Sequence, residues 1–166
     1  VEVDGALFGD YSRNFFHPGA MVLAWLVTEL LTGLAGLKDP RLRAKLAAHA
    51  AVCVLGATYI NAGLSKLLAA GGGWVNPAVL RLTVMMERQP GVDSHFDPLR
   101  DLLIASPDLA AELAVATVVL ELGGALLWFG PRLRALGSAG LLSLHIGMAV
   151  MLEIVFWEPV LLLLWC

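Results

Sequence analysis

Charge is scarce in this chain. Only 15% of its 166 residues are Asp, Glu, Lys or Arg, where soluble domains carry about 25%. The net charge of -3 comes with no basic patch, which leaves no electrostatic footprint for nucleic acid. Cysteine is nearly absent. Cys53 and Cys166 lie far apart in apolar runs, without metal-ligand spacing and without a disulfide framework, so no metal site is expected. The chain also lacks an internal repeat and a clearly broken mid-membrane helix, which disfavours a transporter. Val1–Asp4 has neither the positive nor the apolar region of a signal peptide. The start at Val1 rather than Met, and the stop inside the apolar run Val160–Cys166, read as a piece of a longer membrane protein forming a single transmembrane domain.

Apolar residues fill the space that charge leaves. They make up 58% of the chain, mean hydropathy is +0.77, and they are gathered into blocks. A membrane-crossing helix needs ~20 mostly apolar residues. Segments 19–37, 46–70, 109–130 and 136–157 meet that need, which predicts an all-α polytopic bundle of four spans. The short Gly130–Ala135 connection makes the last two antiparallel neighbours. Loop 38–45 holds Lys38, Arg41, Arg43 and Lys45 against Asp39, and loop 131–135 holds Arg132 and Arg134. The positive-inside rule places both in the cytoplasm. The N-terminal segment (Glu2, Asp4, Asp10) and loop 71–108 (Glu87, Asp93, Asp97, Asp101, Asp108) are acidic and fall on the outer side. The expected location is an integral membrane of the bacterial inner-membrane kind. Within loop 71–108, Gly71–Gly73 is a break and Trp74 suits the interface. Asn76-Pro77 then opens a short helix, expected over 78–87 at the outer leaflet, and Pro90-Gly91 closes it. Ser106-Pro107-Asp108 caps the third span. The run 159–166 is too short to cross and begins another element.

Seven titratable residues fall within the spans: Glu29, His49, Lys66, Glu112, Glu121, His145 and Glu153. A charge at hydrocarbon depth costs roughly 2.5–3.5 kcal/mol on insertion scales. Lys66 is the one to explain. Tyr59, Ala62, Gly63 and Lys66 recur every three or four residues and share one face, with Asn61 nearby in sequence. Three readings of Lys66 stand side by side. It snorkels towards outer headgroups, it pairs with Glu112 or Glu121 as structural glue, or it serves a ligand or a reaction. His145 is a packing residue or a partner in that chemistry. Glu29 is expected to meet a helix outside this chain. His49 and Glu153 are assigned no chemistry. Trp25, Trp128, Trp157 and Trp165 read as packing or interface anchors. Gly123-Gly124 after Glu121 permits a close helix approach.

The string Tyr59–Leu67, followed by Trp74, resembles the signature of the HTTM family, membrane proteins related to vitamin K-dependent gamma-carboxylase. Glu121–Arg134 and the His-bearing Leu144–Phe156 are similar to further family segments, in family order, across about residues 50–165. The resemblance implies a quinone-like or other lipophilic cofactor. It also implies that Lys66, at the position of the base that deprotonates reduced vitamin K, is catalytic. A lysine is a base only when neutral, and desolvation disfavours its ammonium. Glu121 and His145 are then its polar partners, and Tyr59, Asn61 and Trp74 line the ligand site. The chain departs from the carboxylase in having Ser65-Lys66 where that enzyme has Lys-Lys, and in lacking its large lumenal domain. Carboxylation of peptidyl glutamate is therefore not expected. The segments Ala62–Leu67 and Glu121–Gly124 also resemble small DoxX-like four-helix membrane proteins. The rival expectation is a non-catalytic accessory or scaffold subunit partnered with other membrane subunits and the lipid bilayer.

Overall fold

The computed structural model describes residues 18–68, 73–87 and 94–166, with the side chains of Pro18, Glu158 and Trp165 excepted. The acidic N-terminal segment, the Gly71-Gly72 break, the Pro90-Gly91 stop, Asp93 and the Trp165 side chain lie outside that description. Seven α-helices carry the described chain: α1 (Pro18–Leu34), α2 (Pro40–Leu68), α3 (Pro77–Glu87), α4 (Asp97–Ala105), α5 (Pro107–Leu122), α6 (Pro131–Leu152) and α7 (Trp157–Trp165). Tight 3-10 turns occupy Gly73–Val75 and Gly123–Trp128, the second continuing α5, and no strand occurs among the described residues.

Among the described residues three helices, not four, are long and apolar enough to cross a membrane: Pro40–Leu68, Pro107–Trp128 and Pro131–Leu152. The expected first span fails on length. Gly36 takes a left-handed φ of 79°, and its N–H bonds Gly33 O while that of Leu37 bonds Thr32 O. This pairing terminates α1 after 17 residues, about 25 Å of rise. The basic loop 38–45 is a second correction. Asp39 accepts from Arg41 N at 2.9 Å and Pro40 sits at the first helical position, so α2 starts there and carries Arg41, Arg43 and Lys45 within it. Likewise Pro131 starts α6, and the expected loop 131–135 is its first turns. That helix ends at Glu153, in left-handed conformation at φ 56°, short of the expected 157.

The caps at Asn76 and Ser106 occur as expected. Asn76 Oδ1 accepts from Ala78 N, and Ser106 Oγ from Leu109 N. Helix α4 was not anticipated, and the run 159–166 is helical in α7 up to its cap at Cys166.

Two glycine contacts set the spacing of the bundle. A Cβ on Gly56 would lie 2.7 Å from Gly124 O and 2.5 Å from Trp128 Nε1, and one on Gly124 would lie 2.8 Å from Tyr59 Cβ. The backbones of α2 and the Gly123–Trp128 turn therefore touch, as small residues permit. Trp128 Nε1 donates to Cys53 O at 2.9 Å across the same seam. One apolar core, including Met21, Leu55, Leu127, Leu141 and Leu163, joins α1, α2, α6 and α7. A second, around Val84, Leu103 and Ala110, joins α3, α4 and α5.

Candidate functional site

The site grows from one face of α2. Seven residues separate Tyr59 from Lys66, two helical turns, so their side chains project to the same side. Gly63, between them, brings α5 close. A Cβ there would lie 3.2 Å from Glu121 Cβ and 3.1 Å from the Leu122 side chain. One turn on, Lys66 Nζ meets Glu121 Oε1 at 2.5 Å, with 15% and 9% of the two side chains exposed. The amine also lies 5.1 Å from the centroid of the Trp74 ring, within cation–π range. Of the readings open from sequence, this geometry is that of a paired lysine. Glu112, the other carboxylate weighed as its partner, is exposed.

Towards the His49 end of α2, Tyr59 Oη and His145 Nε2 are 2.6 Å apart. The His145 ring takes edge contacts from Tyr59 and from Phe156, each at 5.8 Å between centroids. Where the phenol donates, His145 carries its proton on Nδ1; where Nε2 is protonated, the phenol accepts and Nδ1 is a bare acceptor. In either tautomer Nδ1 is a buried polar atom, and it finds no hydrogen-bond partner among the described residues. Glu121 Oε2 is in the same condition, and each residue is only 7% exposed. A buried polar atom without a partner costs about 1–3 kcal/mol. They are two among several such atoms in the described residues, Arg43 Nε, Arg100 Nε and Ser138 Oγ being others, and each of the two sits on a residue already engaged by a neighbour from α2.

Five of the six expected site residues thus assemble into two pairs and a ring: Lys66 with Glu121, Tyr59 with His145, and Trp74 over the amine. Asn61 does not join them. It stands about 200° around α2 from Tyr59 and is exposed. Sequence reasoning missed Phe156, whose ring meets His145 only because α6 ends at Glu153 and the chain turns back into α7. The left-handed residue that makes this turn is a glutamate, which carries no turn signal of its own.

Three of the four remaining titratable residues of the expected spans, all but the exposed Glu112, also find partners within the chain. Glu29 does not wait for an outside helix: Arg43 NH2 lies 3.0 Å from Glu29 Oε2 and donates to Glu29 O at 3.0 Å. Arg134 NH2 lies 3.0 Å from His49 Nδ1. Glu153 Oε1 is 3.0 Å from Arg100 NH2. No group of three or more His, Cys, Asp or Glu able to hold a metal ion occurs among the described residues. Protein-family models, curated proteins and solved structures give no match to this chain.

Proposed function

We propose that this chain is an integral membrane protein that binds a lipophilic, oxygen-bearing molecule of the quinone class beside Lys66, in a bundle of HTTM or carboxylase-like type. One observation carries the reading. A lysine amine and a tyrosine–histidine pair are held among aromatic rings inside an apolar bundle, while Glu121 Oε2 and His145 Nδ1 are buried without partners. Ligand sites of this kind join apolar walls to a few convergent polar groups. A quinone, when bound, supplies redox chemistry coupled to proton uptake and release. The chain's own part is to place protons. Lys66 Nζ donates to Glu121 Oε1 at 2.5 Å. Were that proton passed to Glu121, the amine would be free to take one from a ligand hydroxyl. The same reading keeps Lys38, Arg41, Arg43, Lys45, Arg132 and Arg134 on the cytoplasmic side, with α1 as a short fourth crossing and Lys66 towards the other face.

The rival, an accessory subunit, is favoured by the ion pair itself, because Lys66 already has its counter-ion and works as structural glue. Two variants separate the readings. Lys66→Met/Glu121→Leu removes both charges and is expected to keep the folded yield. Binding of a short-chain benzoquinone or naphthoquinone is then read by quenching of tryptophan fluorescence in detergent, with Trp74→Phe assigning the reporter. Under the ligand reading the double variant folds and binds at least about tenfold more weakly, since a lost charged hydrogen bond is worth about 1.5–3 kcal/mol. Unchanged binding in the folded double variant sinks it and leaves the structural role.

A further inference from the structure

Helices α3 and α4 carry an apolar surface that the described chain leaves open. Leu82, Met85 and Met86 on α3, with Phe96, Leu99 and Leu102 at α4, are all exposed. The arginines of the same two helices point the other way. Arg81 Nε donates to Ile104 O at 2.6 Å. Arg100, only 3% exposed, donates to Val150 O at 3.3 Å and pairs with Glu153 at 3.0 Å. Both acceptor carbonyls belong to the last turns of helices, α4 and α6, where helical geometry leaves them without an intrahelical partner. The start of α3 is closed in the same way, Asn76 accepting from Ala78 N at 2.9 Å, and at α4 the N–H groups of Leu99 and Arg100 bond back to Phe96 O. Water at an aqueous surface would satisfy such groups without help. Hydrocarbon demands that the protein do it.

We infer that α3 and α4 form a membrane-seated pair, docked by apolar insertion into the acyl region of the leaflet at the Lys66 end and without recognition of anionic headgroups. Lipid is the occupant because the pair lies in the connection between two membrane-length helices, α2 and α5, which holds it at the end of the bundle where both reach the membrane surface. The pair packs on α5, whose Val115 and Val119 are exposed in turn. Charge plays no part in the seating. Helices that bind anionic membranes display Lys and Arg on their polar face, whereas here the arginines are turned inward. The exposed charges beside the apolar face, Glu87 and Asp101, are acidic. The inference rests on the spans crossing a membrane and is independent of any ligand at Lys66.

The full chain in phosphatidylcholine vesicles tests it. Met85→Cys and Leu102→Cys are made in a Cys53→Ala/Cys166→Ala background and labelled with an environment-sensitive fluorophore. The expected result at both positions is quenching by nitroxide-bearing lipid about threefold stronger than by aqueous iodide, as for side chains ~5–10 Å into the leaflet. Added phosphatidylglycerol should not change it. Dominant iodide quenching overturns the inference. Shielding from both quenchers, which indicates a protein partner on this face, also overturns it, as does a requirement for anionic lipid. Should the cysteine-free background fail to fold, peroxide oxidation of Met85 and Met86 in the unlabelled chain decides by mass spectrometry. Oxidation slower by about threefold in vesicles than in the unfolded chain supports seating, and equal rates overturn it.

Discussion

Removing the Lys66 ammonium leaves the Glu121 carboxylate buried beside an apolar stub. Breaking one side of a buried pair costs about 3–5 kcal/mol, while replacing both sides with packed apolar groups is often neutral. Lys66→Met alone should therefore depress folded yield and thermal midpoint in detergent, and the second change, Glu121→Leu, should restore most of both. A single variant as stable as the parent would show that the pair contributes nothing. Tyr59→Phe is milder. It removes only the hydroxyl at 2.6 Å from His145 and should cost about 1–3 kcal/mol, the range for stranding a buried polar partner; an unshifted thermal midpoint would count against this. The Lys66 face was legible in the sequence because helical spacing puts Tyr59, Gly63 and Lys66 on one side. The choice of Glu121 over Glu112 was not. It depends on where α5 crosses α2, which the Gly63 and Gly124 contacts set and which periodicity alone does not report.

At the scale of elements, termini and glycines decided what hydropathy did not. Counting apolar residues overran α1 and α6, because Gly36 and Glu153 end them through left-handed backbone rather than through polarity. It also missed α4, whose nine residues are too few and too mixed to stand out. Gly56 is the element-level contact most open to test. A methyl there meets the Gly124 carbonyl at 2.7 Å, and backbone cannot swing aside, so Gly56→Ala should destabilise by about 1–3 kcal/mol. Gly147, also helical but with nothing within 4 Å of an added methyl, should accept Ala and gain up to about 1 kcal/mol from helix propensity. Equal thermal midpoints for the two variants would remove the close approach from the account. The α4–α6 junction predicts a pH effect. A hydrogen bond from Ser94, joined by the Arg100 charge, holds the Glu153 carboxyl below the usual carboxylate range. A lowered folded-state value gives stability that is present above the ordinary carboxylate pKa and lost as pH falls through the lowered one. The stability gap between the parent and Glu153→Gln should therefore be open at neutral pH and close on acidification; a gap constant down to acid pH would contradict it.

Four inter-helix pairs among the described residues engage most of the titratable groups that the sequence placed in the spans. Glu29 with Arg43, His49 with Arg134, Lys66 with Glu121 and Arg100 with Glu153 each join residues from different helices, so the pairs fasten α1 to α2, α2 to α5 and α6, and α4 to α6. An intramembrane charge that waits for a partner subunit is the usual reason to expect obligate assembly, and the Arg43 pair removes that reason at Glu29, the position where the sequence raised it. The chain should therefore run in mild detergent as a single-copy particle, by sizing coupled to light scattering, without co-purifying subunits. Arg43 gives the corresponding weak point. It holds Glu29 by both carboxylate and carbonyl, and α1, at 17 residues, is shorter than the three membrane-length helices. Arg43→Met should strand the Glu29 carboxylate, loosen α1 from α2 and speed proteolysis at the Ala35–Asp39 turn several-fold, the behaviour of a locally opened element. The rest of the bundle, whose fastenings do not pass through α1, should survive as the protease-resistant core. Cleavage rates equal to the parent's would mean that apolar packing of Met21 and its neighbours, not the ion pair, keeps α1 in place.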